Sequence, residues 1–213
     1  MSDAIGRLDI PLGEAIYTQR AIRRFKPDPI PVADLEVILE AASKAPNGGN
    51  NQRARFLVVT DRQQIREFGA LYHKAWWAKR FDSEGISGPE EMTEEQRKVH
   101  AAPMRLADDM KDAPCIVFAL SLPPNFAESV YPACQNLMLA ARALGIGSVP
   151  TRLHPTVLDE FRALFDIPPE VVLHFTIPLG YPAGRFGPTK RRPTWETSYF
   201  DKWGAPVPWA PTP

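Results

Sequence analysis

The chain has 213 residues, which is enough for one domain with a substantial core. Two domains within this length would each be small. Its 25 Lys and Arg residues balance its 25 Asp and Glu residues, which excludes a global field that would attract nucleic acid or an anionic membrane. No secretory leader is visible and no apolar run approaches the ~20 residues that span a bilayer, so we expect a cytoplasmic protein without nucleic-acid or membrane partners.

Helices and one strand follow each other in the first half of the chain. The predicted elements are helices over 11–19 and 31–45, a strand over 56–60, and a helix that begins after Asp61. Between about 72 and 112 the charge rises and the apolar period weakens, which predicts a helical excursion with a loop at 85–89. Trp76 and Trp77 lie in this excursion, where they could line a channel for a planar substrate or serve as core or interface anchors.

The second half alternates strands and helices before a tail. The predicted elements are strands over 115–122 and 171–177, helices over 127–144 and 155–165, and an extended tail from about 181. The 127–144 helix is apolar on nearly all sides, which is typical of a core or a subunit interface.

Cys115 and Cys134 lie in apolar surroundings and are expected to be core residues. The histidines show no metal-ligand spacing, so no metal site is expected. This order of elements favours an α+β fold.

Two basic clusters stand near opposite ends of the chain: Gln19-Arg20-Ala21-Ile22-Arg23-Arg24-Phe25 and Thr189-Lys190-Arg191-Arg192-Pro193. If the first cluster forms a helical turn, Arg20 and Arg23 share a face, and the apolar residues of the cluster point inward. Guanidinium groups match the oxygen atoms of a phosphate bidentately, so the clusters suit a phosphorylated ligand. A solvated basic helix end and a solvated surface run would also explain them.

A loop rich in amides and glycine, Pro46-Asn47-Gly48-Gly49-Asn50-Asn51-Gln52, lies between the two basic clusters. Carboxamides suit the edge of a heterocycle that both donates and accepts hydrogen bonds, although an ordinary connecting loop would have a similar composition. The chain has no dinucleotide fingerprint, Walker loop, Ser-His-Asp order or activated cysteine. If the protein is an enzyme, a cofactor therefore carries the chemistry.

The order of these motifs resembles the FMN-dependent nitroreductase family over residues 14–203. The similar segments are Gln19-Arg20-Ala21-Ile22-Arg23-Arg24-Phe25, Ala45-Pro46-Asn47-Gly48-Gly49-Asn50-Asn51-Gln52, Asn136-Leu137-Met138-Leu139-Ala140-Ala141 with Ala143-Leu144-Gly145, and Lys190-Arg191-Arg192-Pro193. The resemblance implies an α+β nitroreductase-like fold with a central mixed or antiparallel sheet flanked by helices. It also implies one domain over 1–213 and an intertwined homodimer with FMN sites at the subunit interface.

The resemblance further implies which residues hold FMN. The expected cofactor-binding residues are Gln19, Arg20, Ala21, Arg23, Pro46, Asn47, Gly48, Asn50, Pro150, Thr151, Arg152, Lys190 and Arg192. Of these, the residues implied to hold the phosphate and ribityl chain are Arg20, Arg23, Lys190 and Arg192. Asn50 would approach the ring edge, and residues 150–152 would present backbone near the pyrimidine side or N5. Trp76 and Trp77 are the expected substrate residues.

The implied reaction is a two-step ping-pong exchange, in which NADH or NADPH reduces FMN and an electron-poor acceptor then oxidises it. Nitroaromatics, quinones and activated alkenes are the expected acceptors.

The chain departs from the family pattern at Gln19, where arginine is usual, at Ala21, where serine is usual, and at Arg53-Ala54, where Pro-Trp is usual. These departures leave open an FMN-binding protein without turnover, used for storage, sensing or assembly.

Overall fold

The computed structural model describes residues 4–212. The α-helices are α1 Ala4–Arg7, α2 Leu12–Thr18, α3 Val32–Ser43, α4 Arg62–Glu84, α5 Glu94–Asp109, α6 Ala127–Ala143 and α7 Leu158–Leu164. The strands are β1 Ala54–Val59, β2 Cys115–Ser121, β3 Gly147–Ser148 and β4 Val172–Gly180. The predicted α+β class is confirmed, and β3 is an element that the sequence pattern did not predict.

The strands form one sheet in the order β1-β2-β4-β3, and every pairing between neighbouring strands is antiparallel. Strand β2 lies between β1 and β4, and it is buried along its whole length. Because successive side chains of a strand point to opposite faces, Val117 belongs to one core cluster and Phe118 to the other. The continuous apolar run of β2 therefore reflects a sheet that is covered on both faces.

Different helices cover the two faces of the sheet. The first core cluster joins α3 and α6 to the sheet through buried residues such as Leu137. The second joins α4, α5 and α7 to the other face through residues such as Phe68. Cys115 and Cys134 are free thiols buried in the first cluster, as predicted, and burial raises the pKa of each thiol to about 12.

The excursion predicted at 72–112 consists mainly of two long helices. Helix α4 runs unbroken for 23 residues, so it begins well before residue 72. Asp61 caps its N-terminus by accepting a hydrogen bond from the Gln64 amide at 2.9 Å. After the loop that follows Glu84, Thr93 begins α5 with a capping box. These caps fix the N-terminal ends of both helices.

Residues 19–25 do not form the helical turn on which Arg20 and Arg23 would share a face. Helix α2 ends at Thr18, and Gln19 already has the extended dihedral angles φ −64° and ψ 122°. The Ile22 amide donates to the Ser148 carbonyl at 3.0 Å, next to a parallel bridge between Ala21 and Ser148. The segment is extended because its backbone groups pair with the edge of the sheet.

The tail after β4 is extended and carries several large apolar side chains at the surface. Those with large exposed fractions are Trp203 at 91%, Trp209 at 57%, Tyr199 at 47% and Phe200 at 46%. Across residues 4–212, no helix combines the length and the apolar character needed to cross a membrane.

Candidate functional site

The site is built along the extended 19–25 segment, which lies against the sheet edge at two glycines. A Cβ atom on Gly147 would come within 2.6 Å of the Ile22 side chain, and one on Gly180 within 2.8 Å of the Phe25 side chain. Real Cβ atoms do not approach other atoms so closely, so this contact requires both glycines. Ile22 and Phe25 pack inward, as the sequence predicted, and the polar side chains of the segment line cavities.

A first cavity, which we call the basic cradle, brings the two basic clusters together. It has a volume of about 550 Å³ and is lined by Gln19, Arg20, Ala21, Arg23, Met138, Pro150, Pro188, Thr189, Lys190 and Arg191. None of the described residues that line it is a carboxylate, so the cradle presents cations and an amide to a ligand. Arg191 lines it, whereas the predicted Arg192 lies outside the lining.

A second cavity, which we call the covered cavity, lies beneath the two helices of the excursion. It has a volume of about 360 Å³ and is lined by Arg23, Tyr72, Ala75, Trp76, Lys79, Arg80, His100, Pro103, Leu106, Val149, Pro150, Thr151, Arg152 and His154. Arg23 and Pro150 line both this cavity and the basic cradle. The two cavities are therefore neighbours, and one ligand could extend from the cradle to the covered cavity.

Tyr72 places its hydroxyl group at the wall of the covered cavity, near Arg23 and Thr151. Burial raises the pKa of Tyr72 above its ordinary value, while a hydrogen bond with Thr151 and the charge of Arg23 oppose that rise. The hydroxyl is consequently neutral near pH 7 and can donate a hydrogen bond. Tyr72 was not predicted as a site residue, because a tyrosine on the inward face of a helix resembles any other core residue.

The sheet holds residues 150–152 in place. Thr151 exchanges two backbone hydrogen bonds with Thr176, at 2.9 and 2.8 Å. The Arg152 guanidinium donates to the Tyr131 hydroxyl at 2.8 Å and lies 5.7 Å from the centre of the Phe175 ring. These contacts fix the backbone of the predicted stretch at the wall of the covered cavity.

The amide-rich loop lies elsewhere in the same chain. The Gly48 amide donates to the Ser129 hydroxyl at 3.1 Å, so the loop sits near the start of α6. Met138, which lines the basic cradle, lies further along that helix by about 14 Å at 1.5 Å per residue. The resemblance implied four FMN-binding residues in this loop: Pro46, Asn47, Gly48 and Asn50. None of them lines the cradle or the covered cavity. Within one chain, therefore, the loop is separated from the basic cradle.

The two tryptophans of the excursion differ in position. Trp76 lines the covered cavity, and the Arg80 guanidinium lies 4.8 Å from the centre of its ring. Trp77 is outside the lining of that cavity, and its indole nitrogen donates to His73 at 3.2 Å. Arg80 and His100 also line the cavity and were not predicted from the sequence. The sequence did contain one indication for Arg80. It follows Trp76 by four residues, so the two side chains share a face of the helix.

The model of the nitroreductase family matches residues 16–181. The chain belongs to the nitroreductase family. It is accordingly an oxidoreductase of the nitroreductase type. Membership agrees with the arrangement of sheet and helices, and it accounts for the order of the sequence motifs.

Individual relatives show the range of activities that nitroreductase-like proteins are named for. The chain is 34% identical over 170 residues to iodotyrosine deiodinase of Thermotoga neapolitana, and the match covers 77% of this chain and 84% of that protein. It is 31% identical over 178 residues to a putative NADH dehydrogenase/NAD(P)H nitroreductase of Methanothermobacter thermautotrophicus, covering 80% and 76% of the two chains. A crystal structure of oxidized iodotyrosine deiodinase bound to FMN and 3-iodo-L-tyrosine has a TM-score of 0.68 at 26% identity, covering 86% of this chain and 94% of that one.

Proposed function

We propose that this protein is an FMN-dependent oxidoreductase that takes hydride from NADH or NADPH and reduces an electron-poor acceptor. One observation carries the proposal. The two basic clusters lie near opposite ends of the sequence, yet they line a single cavity that adjoins a second, covered one. Such an arrangement suits a ligand with a phosphate at one end and a planar ring at the other.

The basic cradle fits the phosphate end of FMN. Arg20, Arg23 and Lys190 would hold the phosphate and the ribityl chain, because each can donate charge-assisted hydrogen bonds to anionic oxygen. Gln19 stands where the family pattern has a further cation, and Arg191 is an additional cation at this cavity. We therefore propose Arg191 as a phosphate ligand in place of Arg192.

The covered cavity fits the ring end and the acceptor. Residues 150–152 would present their fixed backbone to the flavin, and Arg23 would stabilise negative charge that develops on the ring. When bound, FMN supplies hydride acceptance and donation, so the protein needs no nucleophile of its own. Trp76 and Tyr72 would then form the wall against which a planar acceptor lies.

Two buried donors favour an acceptor that carries oxygen atoms. The indole nitrogen of Trp76 and the Nε atom of Arg80 are buried and have no hydrogen-bond partner within residues 4–212. A buried donor without a partner costs roughly 1–3 kcal/mol. Nitro, quinone and carboxylate oxygens could accept from these groups after a small movement of the excursion.

A homodimer would complete the site, and we propose one. The amide-rich loop is separated from the cradle of its own chain, so its predicted contact with the flavin requires the loop of a second protomer. The exposed aromatic side chains of the tail offer apolar surface for such a contact.

Reductive dehalogenation of an aromatic acceptor is a second candidate, favoured by a specific observation. A relative at 34% identity and a solved structure at 26% identity are both iodotyrosine deiodinases, and the latter was bound to FMN and 3-iodo-L-tyrosine. Both candidates use the same cradle and differ only in the acceptor.

The test is anaerobic reduction of the FMN-loaded protein with NADH and with NADPH, followed by mixing with acceptors. The panel contains a nitroaromatic, a quinone, an activated alkene and a halogenated phenol. We expect bleaching of the flavin absorbance, and its return with at least one acceptor. Flavin that neither nucleotide bleaches would favour a binding protein without turnover, and protein that cannot be loaded with FMN would refute both.

A further inference from the structure

A third cavity, which we call the arginine cavity, lies beside the 19–25 segment. It has a volume of about 470 Å³ and is lined by the arginines Arg20, Arg23, Arg24, Arg105 and Arg185. The other described residues that line it are alanine, isoleucine and glycine, so no carboxylate faces these cations. The arginines come from the extended segment, from α5 and from the tail, and the cavity opens to solvent.

Most of these side chains lack the partners that other arginines of the chain have. Within residues 4–212, no hydrogen bond or ion pair joins the side chains of Arg20, Arg24, Arg105 or Arg185 to another residue. By contrast, Arg142 pairs with a carboxylate at 2.9 Å. Like charges without a counter-charge repel one another, and a bound anion would relieve that repulsion.

The arginine cavity is distinct from the basic cradle. Arg24, Arg105 and Arg185 line the arginine cavity and not the cradle, whereas Lys190 and Arg191 line the cradle and not the arginine cavity. The extended segment runs between the two cavities and contributes residues to both. A single phosphate of FMN in the cradle would therefore leave the three outer arginines without a ligand.

We propose that the arginine cavity binds the 2′-phosphate of NADPH, so that NADPH is the preferred electron donor. A phosphomonoester carries a charge of about −1.5 to −2 near pH 7, and arginine binds it bidentately. Arg20 and Arg23 line both cavities, so a dinucleotide whose nicotinamide reaches the flavin can pass its adenosine end to the neighbouring cavity. This inference rests on the proposed function, because it assumes that a nicotinamide nucleotide reduces the flavin.

The test measures the dissociation constants of NADPH and NADH from the rates of anaerobic flavin reduction. We expect NADPH to bind about tenfold more tightly, and Arg105→Ala and Arg185→Ala each to weaken NADPH binding roughly tenfold with little effect on NADH. Arg66→Ala is the matched control, because Arg66 is exposed on α4 and donates to Gln63, away from the cavities. Equal binding of the two nucleotides, or equal weakening of both by the variants, overturns the proposal.

A second measurement separates this inference from the proposed function. Calorimetry follows the binding of 2′,5′-ADP and of inorganic phosphate to the FMN-loaded protein and to the Arg105→Ala/Arg185→Ala double variant. We expect 2′,5′-ADP to bind the wild type and to lose about tenfold or more in affinity in the double variant, even if neither nucleotide reduces the flavin. Absence of 2′,5′-ADP binding, or binding of inorganic phosphate that is equally tight, would overturn the assignment.

Discussion

Arg23 is a residue that lines the basic cradle, the covered cavity and the arginine cavity alike. Its backbone belongs to the extended segment that pairs with the sheet edge, so its position is fixed by the fold. The FMN phosphate, the flavin ring and the electron donor would therefore meet near this side chain. We expect the proposed site to be more sensitive to Arg23 than to the other cations around it.

Arg23→Ala is expected to weaken FMN binding by about tenfold or more, because a hydrogen bond to a charged group contributes about 1.5–3 kcal/mol. Arg23→Lys keeps the charge but loses the bidentate geometry, so its affinity should fall between those of Arg23→Ala and the wild type. Quenching of flavin fluorescence in a titration measures the dissociation constants. Arg66→Ala is the control, and an unchanged affinity in Arg23→Ala would remove Arg23 from the cofactor site.

His174 predicts a pH dependence of stability. It is buried, and its Nε2 atom lies 2.9 Å from the Ser121 hydroxyl. Burial and, to a lesser degree, the charge of Arg152 lower the pKa of His174 below its ordinary value of 6.5, against a smaller opposing effect of Glu128. The unfolded chain therefore binds this proton more readily than the folded one. The stability that depends on neutral His174 is therefore fully present above the pKa of the unfolded chain. It is lost progressively as the pH falls below about 6.5.

We expect His174→Gln to flatten this loss, since one titrating group can change the free energy of unfolding by at most about 1.4 kcal/mol per pH unit. Urea unfolding between about pH 7.5 and about pH 5 measures the slope. His73→Gln is the control, because His73 is exposed on α4. A slope that stays the same in His174→Gln would contradict the assignment.

At the scale of elements, the helical excursion was predictable in kind but not in detail. High charge and a weakened apolar period indicated a helical excursion, and the structure has α4 and α5 lining a cavity. The sequence does not reveal that Trp76 faces this cavity while Trp77 turns to His73. Adjacent residues on a helix point about 100° apart, and the face that meets the core is decided by packing against the rest of the chain.

Trp76→Ala is expected to change the kinetics of the acceptor half-reaction more than the affinity for FMN, because Trp76 lines the covered cavity. Trp77→Ala is the matched control, with the same chemical change one residue away. We expect a several-fold change in KM for the acceptor in Trp76→Ala and little change in Trp77→Ala. Equal effects of the two variants, or loss of FMN in Trp76→Ala alone, would exclude the proposed role.

Tertiary contacts decide that the 19–25 segment is extended. Its arginine spacing fits a helical turn, and nothing local in the sequence opposes one. The segment is extended because Gly147 and Gly180 leave room for Ile22 and Phe25 against the sheet edge. Those glycines are far away along the chain, so the sequence near the segment carries no sign of the contact. The residue types of the site were predictable, whereas the cavity that each residue faces was not.

At the scale of the whole molecule, two features have no evident function within a single chain. Large aromatic side chains of the tail are exposed, including Trp203 at 91%. The amide-rich loop lies about 14 Å along α6 from the basic cradle. Exposed apolar surface of this kind normally meets a partner. A homodimer that covered the tail and brought the loop of one protomer to the cradle of the other would account for both.

A dimer of two different variants tests whether the site is shared between protomers. Arg23→Ala disables the cradle, and Asn50→Gly removes the amide side chain at a position whose φ of 52° glycine adopts freely. Each variant homodimer is measured first, and we expect both to bind FMN more weakly than the wild type. Co-expression of the two variants with different tags then allows the mixed dimer to be purified.

The FMN content of the mixed dimer distinguishes the two arrangements. If Arg23 of one protomer serves the same site as Asn50 of the other, one of the two sites contains both native residues. We then expect about half of the normal FMN content, bound with the affinity of the wild type. If both residues serve a site within one chain, each site carries one substitution, and FMN binding should be no better than in the two variant homodimers.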